Sequence, residues 1–369
     1  MLGLYINIPF NKTISNYQNS NSLLDSDEYQ VNKYVNHLIL ELRTYSNYFD
    51  RVKTIYIGGG VPTVLTLEQM ERIFKWLTLI KPIEFNIEIE VDTFKEEHAK
   101  LFKRYGVNRV VIKADTLNNK LLGDLNRKYN KEQIIKTIKL LNAYSIKNIN
   151  VDLKFGLPNQ TLNHVKNDLK EIKKLKISHI SYYQLEIEED SFFYNNKIES
   201  DQDLAIKMFE HIIKDLKKHE YNHYEITHFA LNNQVSLHNT LYWTLEEYIG
   251  VGLGSHGFIN NYRTFNNSDI NEYFHNPLQD KELQTTNDNI KNYLIFGLRL
   301  RRGINLIDFK NKYKVDILER YPKLNSLIDN KILEINNGNL RLTSNGIFYS
   351  NLVFEVFIWN ISWRISNII

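Results

Sequence analysis

The sequence contains no cysteine. That excludes disulfides, thiolate zinc sites, cysteine nucleophiles and any iron–sulfur cluster held by thiolates. It also lacks a run of about 18 uncharged apolar residues, the minimum for a membrane-spanning helix. The nearest approach is 352–369, which Glu355, Asn360 and Arg364 interrupt. The N-terminus lacks the basic segment, apolar run and small-residue cleavage site of a secretory signal. The expectation is a soluble cytoplasmic protein without a transmembrane segment. The tail 354–369 has two readings, a packed helix and a peripheral membrane contact, of which packing is preferred. A dominant charge sign is missing too: Lys plus Arg is 46 against 43 Asp plus Glu, for a net charge of +3. That balance gives no electrostatic footprint for nucleic acid. Repeats of about 20–50 residues and low-complexity linkers are absent.

What is present is a globular chain of 369 residues, 43% apolar and 24% charged, enough for a sizeable core. At roughly 150 residues per domain, two or three domains are expected. Short runs rich in Ile, Val, Tyr and Phe occur at 4–8, 52–57, 84–91, 109–114, 148–155 and 179–188. Most lack clear polar alternation, as strands buried on both faces do. Helical patterns at 28–48, 67–80, 131–144 and 162–175 separate them. This rhythm predicts an α/β fold, a partial (β/α)6 TIM-like barrel, over 1–235. Residues 236–369 form a smaller C-terminal region. Within it, about 287–350 reads as a winged-helix-like module, with Asn336-Asn337-Gly338-Asn339 as a hairpin turn.

Polar residues gather where such a barrel opens. Gly58-Gly59-Gly60-Val61-Pro62 follows the second strand, where βα loops build the working face of a barrel. Glycines let backbone and ligand approach closely, and their peptide groups suit a carboxylate, a phosphate or an amine-bearing tail. The competing reading is a tight turn closed by proline. It is neither a Walker loop nor G-x-G-x-x-G. Glu90 and Asp92 end the third strand, Asp115 and Arg127 follow the fourth, and Asp152 lies in the fifth. Carboxylates in apolar strands need a partner or a solvated cavity.

These motifs resemble a known family over nearly the whole chain. The matching segments are Tyr5-Ile6-Asn7-Ile8-Pro9-Phe10, Gly58-Gly59-Gly60-Val61-Pro62, Gly106-Val107-Asn108-Arg109, the run from Asp152 to Thr161, His223-Tyr224-Glu225-Ile226 and His238-Asn239-Thr240-Leu241-Tyr242-Trp243. They are similar to the branch of the radical S-adenosylmethionine (SAM) superfamily that contains oxygen-independent coproporphyrinogen III oxidase and the haem chaperone HemW. The resemblance implies a partial barrel of radical SAM type and a family-specific C-terminal module. It also implies SAM-contact positions at Tyr5, Gly59, Gly60, Glu90, Arg127 and Asp152. The sequence departs from the family at the three cluster cysteines, which are Asn11, Ser15 and Gln18 here, with Tyr17 kept. Amide and hydroxyl oxygens are poor ligands for iron–sulfide chemistry. No [4Fe–4S] cluster, no radical chemistry and no coproporphyrinogen dehydrogenase activity are therefore expected, and no catalytic residue is assigned. The SAM shell is eroded as well: Val61, Asp115 and Asp92-Thr93 replace the family's Thr, Gln and Asn-Pro. Weak SAM binding or none is expected.

The resemblance associates His238, Asn239, Tyr242 and Trp243 with haem, His238 being the candidate ligand to the haem iron. On the bare residues, a hydrogen-bonded structural histidine explains the same motif. His256 is a second candidate, equally explained by packing. His223 and Glu225 share a strand face, but two ligands make an incomplete metal site. The leading expectation is a HemW-like haem-binding protein that passes haem or a related tetrapyrrole to an acceptor protein. The alternatives are a cluster-free SAM- or porphyrin-binding enzyme and a scaffold that binds neither.

Overall fold

The computed structural model describes residues 1–19, 23–24 and 26–358, so the end of the apolar tail, 359–369, lies outside the described residues. Contacts divide the chain into two compact units. One comprises Met1–His223, Thr227–Leu241 and Glu247–Glu282; the other comprises Tyr224–Ile226, Tyr242–Glu246 and Leu283–Ile369.

The first unit is built on six parallel strands in chain order: Leu2–Ile8, Val52–Gly59, Glu84–Glu90, Arg109–Asp115, Asn148–Phe155 and His179–Gln184. Each pairs with the next in parallel register. Helices Glu28–Thr44, Leu67–Leu77, Glu96–Tyr105, Lys131–Ala143 and Leu162–Lys174 return the chain between them. The helix starts are set locally. Asp27, Thr66, Asn130 and Thr161 cap their helices with side-chain oxygens, the last three in capping boxes with Gln69, Gln133 and His164. The predicted α/β barrel architecture is what the chain forms.

Two expectations are corrected. A domain cut at 235 divides residues that one sheet joins. Glu247–Val251 lies parallel to Leu2–Ile8, and the antiparallel strands His256–Ile259 and Tyr262–Asn266 extend the sheet beyond it. These strands are hard to read because glycines interrupt them. A Cβ at Gly250 would lie 1.9 Å from the His256 carbonyl oxygen, and one at Gly257 would lie 2.5 Å from Thr264 Oγ1. Close strand contact demands the glycines, and the glycines erase the periodicity. Nor do His223 and Glu225 share one strand: Asn222–His223 pairs with His228–Ala230, whereas Tyr224–Ile226 belongs to the second unit.

The second unit packs helix Thr286–Gly297, short helices Leu306–Tyr313, Ile317–Arg320 and Lys323–Asp329, and a three-stranded sheet ordered Ile304–Asn305, Asn339–Leu342, Leu333–Asn336. This is the expected helix–helix–hairpin pattern. Helix Ser350–Ile358 buries Val353, Phe354 and Phe357, so the described part of the apolar tail is packed. Among the described residues, no helix is long and apolar enough to cross a membrane.

One buried carboxylate in the first unit makes the fold pH-sensitive. Asp168, on helix Leu162–Lys174, accepts from Thr116 Oγ1 at 2.7 Å and Leu117 N at 3.0 Å, holding the turn after the fourth strand. Burial pushes its carboxyl from 3.8 up to about 7, against the lowering effect of those hydrogen bonds. The folded chain thus binds more protons than the unfolded chain between these values, and stability falls as pH rises through that window. The urea midpoint of the wild type should decline from pH 4.5 to 7.5, by an amount equivalent to up to about 4 kcal/mol. Asp168→Asn should flatten that decline, and an equal decline in both proteins would remove Asp168 as its source.

Candidate functional site

The strand ends of the barrel bring a charged cluster together. Arg127 lies at its centre, its side chain only 6% exposed. Its guanidinium bonds Glu90 Oε1 at 2.5 Å and Asp115 Oδ2 at 2.5 Å, and donates to the Tyr17 hydroxyl at 3.1 Å. Tyr17 in turn donates to Asp115 Oδ1 at 3.1 Å. Burial alone would raise Asp115, but Arg127 and Lys154 outweigh it and hold the carboxyl below its ordinary value. Glu90 goes the other way: burial raises it more than Arg127 lowers it, and Asp92 adds to the rise. Asp115 takes a left-handed backbone, φ 56°, a region short polar residues tolerate.

A second charged group sits beside the glycine run. Lys113 Nζ is 2.8 Å from Glu88 Oε2 and donates to the carbonyl oxygens of Gly59 and Gly60, each at 3.1 Å. Burial works against its charge, but Glu88 more than compensates and its pKa is raised. Asp152 accepts from Asn150 Nδ2 at 2.6 Å and is raised by burial and by Glu88. The Lys154 ammonium stands 4.8 Å from the Tyr17 ring centre and 5.8 Å from that of Tyr183, and burial lowers its pKa. Tyr5 donates to Asn7 Oδ1 at 3.1 Å.

The positions that the resemblance assigns to SAM lie among these charged groups, and Arg127 is paired with Glu90 and Asp115. Sequence reading missed Glu88, Lys113 and Lys154. A signal was available, because residues two apart share a strand face. Glu84, Asn86, Glu88 and Glu90 alternate with Phe85, Ile87 and Ile89, and Asn150, Asp152 and Lys154 do so in the fifth strand. These two strands carry a polar alternation, whereas the expectation was that most strands lack it.

The glycines serve the chain's own packing. Gly59 has φ +102°, and a Cβ there would fall 1.8 Å from Asn7 Oδ1; at Gly60 it would fall 2.5 Å from the Phe10 carbonyl oxygen. Gly60 N donates to Ile8 O and Val61 N to Phe10 O, each at 2.8 Å.

The loop carrying Asn11, Ser15 and Gln18 is held by protein atoms. Asn16 N donates to Leu125 O at 3.2 Å and Asn126 Nδ2 to Ile14 O at 2.9 Å. Phe193 N donates to Asn16 O at 2.8 Å, and Tyr17 packs with Leu121, Leu125, Leu157, Leu185 and Phe193. Ser15 is buried and Gln18 exposed. This donor set offers no thiolate and does not fit a [4Fe–4S] cluster.

His238 lies on helix Leu237–Trp243, whose first amides donate to Glu84: Leu237 N to Oε2 and His238 N to Oε1, each at 2.9 Å. The imidazole is fully buried, with Nδ1 2.8 Å from Thr54 Oγ1 and its ring centre 5.3 Å from that of Tyr56. A Cβ at Gly3 would crowd its Cε1 at 3.1 Å. Burial lowers its pKa to about 3, so the ring is neutral. Asn239 falls with it in the first unit, Tyr242 and Trp243 in the second. His256 is half-buried beside Phe265. Glu225 is fully buried and ion-paired with Arg299 at 2.7 Å.

Because Arg127 neutralises two buried carboxylates, Arg127→Ala should cost about 3–5 kcal/mol, read as a lowered urea midpoint. Combining Arg127→Met with Glu90→Gln and Asp115→Asn should recover most of that loss. An Arg127→Ala protein as stable as the wild type would show the cluster to be dispensable for folding.

The family model described as the radical SAM superfamily matches residues 22–172, and that of the HemN C-terminal domain matches 284–349. The "Putative heme chaperone HemW-like protein" of Buchnera aphidicola subsp. Baizongia pistaciae is 31% identical over 373 residues, covering 97% of this chain and 99% of the relative. "Heme chaperone HemW" of Lactococcus lactis is 30% identical over 368 residues, with 96% of each chain covered. That of Bacillus subtilis is 30% identical over 377 residues, covering 97% and 99%. The solved structure of coproporphyrinogen III oxidase (HemN) from Escherichia coli shares the fold, with a TM-score of 0.84 at 18% identity over 96% of this chain and 89% of that one. With its barrel, its C-terminal module and its whole length matched, the chain belongs to the HemW family of the radical SAM superfamily.

Proposed function

We propose that this protein is a HemW-type haem carrier that works without radical SAM chemistry. The observation that carries the reading is full-length similarity to relatives named heme chaperone, in a chain whose cluster positions hold Asn11, Ser15 and Gln18. Haem, or a related tetrapyrrole, is cargo passed to an acceptor protein. A neutral imidazole at His238 is in the protonation state that iron ligation requires. Its enclosure against Thr54, Gly3 and Tyr56 means that loading is coupled to displacement of helix Leu237–Trp243. Asn239, Tyr242 and Trp243 on the same helix would then move with the ligand. SAM has no assigned role in this cycle, since Arg127 is already occupied by Glu90 and Asp115. The protein works as a cytoplasmic carrier.

An anaerobic haemin titration followed by absorbance tests this. The wild type should give a saturable 1:1 Soret shift that is lost in His238→Ala and kept in His256→Ala. The loading rate should level off with rising haemin, because helix opening limits it, and Thr54→Val should raise that plateau. An identical Soret shift in wild type and His238→Ala would displace the ligand assignment. No shift in the wild type would leave a scaffold that holds neither ligand.

A further inference from the structure

We infer that Lys113 is a tethered occupant of the glycine loop, filling from within the chain the place where the barrel mouth would otherwise receive a ligand's primary ammonium group. An ammonium carries three N–H donors and no acceptor. Lys113 Nζ donates to Gly59 O and Gly60 O, each at 3.1 Å, and is ion-paired with Glu88 Oε2 at 2.8 Å. Two carbonyls and a carboxylate form a cradle with the chemistry of an ammonium site, and the side chain occupies it.

The cradle is fixed in place by its surroundings. Gly59 and Gly60 are wedged against Asn7 and Phe10. Glu88 is held through its other oxygen, which accepts from the Tyr56 hydroxyl at 2.6 Å. The strand carrying Lys113 is also anchored by Tyr129, which donates to the Lys113 carbonyl oxygen at 2.9 Å. The same substitution of self for ligand recurs nearby. Asp115 stands on the Arg127 guanidinium, where a ligand carboxylate would bind. Lys113 and Asp115 are two residues apart on one strand, so a single strand presents both an ammonium and a carboxylate to the site. A zwitterionic amino-acid group arriving from solution finds its two counterparts taken. This inference concerns the glycine-loop site alone and does not depend on haem binding.

Removing the tether should uncover the cradle. The test compares full-length wild type, Lys113→Ala and Lys113→Gln at fixed ionic strength. Thermal unfolding is followed with n-propylammonium, with tetramethylammonium as a cation lacking N–H donors, and calorimetric titration is done with SAM as a zwitterionic probe. Lys113→Ala should melt below the wild type, and n-propylammonium should restore its midpoint while tetramethylammonium does not. The wild type should respond to neither cation. SAM should bind Lys113→Ala about tenfold or more tighter than the wild type, the fold-change expected of a charge-assisted hydrogen-bonded contact. Lys113→Gln, which retains two donors of its own, should melt between the two and gain less from n-propylammonium. If Lys113→Ala does not fold, Lys113→Gln carries the comparison by the same criterion. Equal stabilisation of wild type and variant by n-propylammonium would overturn the inference. So would wild type binding SAM as tightly as the variant.

Discussion

The constraint on which the barrel mouth depends is the neutralisation of buried charge. Glu90 and Asp115 are buried at the strand ends, beside half-buried Glu88, Asp152, Lys113, Arg127 and Lys154. Charges in such a place are tolerated only when paired in good geometry. Arg127 meets the requirement with its planar fork, reaching Glu90, Asp115 and Tyr17 at once. Tyr17 links this pairing to the N-terminal loop, because its ring also enters the apolar cluster with Leu125 and Phe193. Loop, fourth strand and third strand thus share one electrostatic solution.

The barrel was legible because its signals are local. Parallel buried strands read as apolar runs, and the capping residues before four of the helices mark where the chain turns back. The strands from Glu247 to Asn266 were not legible, because Gly250 and Gly257 serve a contact between neighbours that the sequence order does not display. The domain boundary was misplaced for the same reason. Parallel pairing of Glu247–Val251 with Leu2–Ile8 links positions at opposite ends of the first unit.

The candidate site was legible by position and illegible by state. Glu90 and Arg127 meet directly, and Gly59 and Gly60 both accept from Lys113. What motifs could not tell is that Lys113 and Asp115 take up the partners those positions offer. Alternation along the third and fifth strands pointed to a polar interior, and only the coordinates pair its members. His238 gives a similar lesson. Its motif draws the eye to the residue, but its full burial beside Thr54 and Gly3, the latter more than 230 residues away in sequence, is not written in the motif.

The loop from Asn11 to Gln18 has a consequence for how the protein matures. Its shape is set by backbone bonds to Leu125 and Phe193 and by the anchored ring of Tyr17. Hydrogen bonds and side-chain packing give that loop its shape, and it carries no thiolate to be loaded. Air has no thiolate to oxidise anywhere in the sequence.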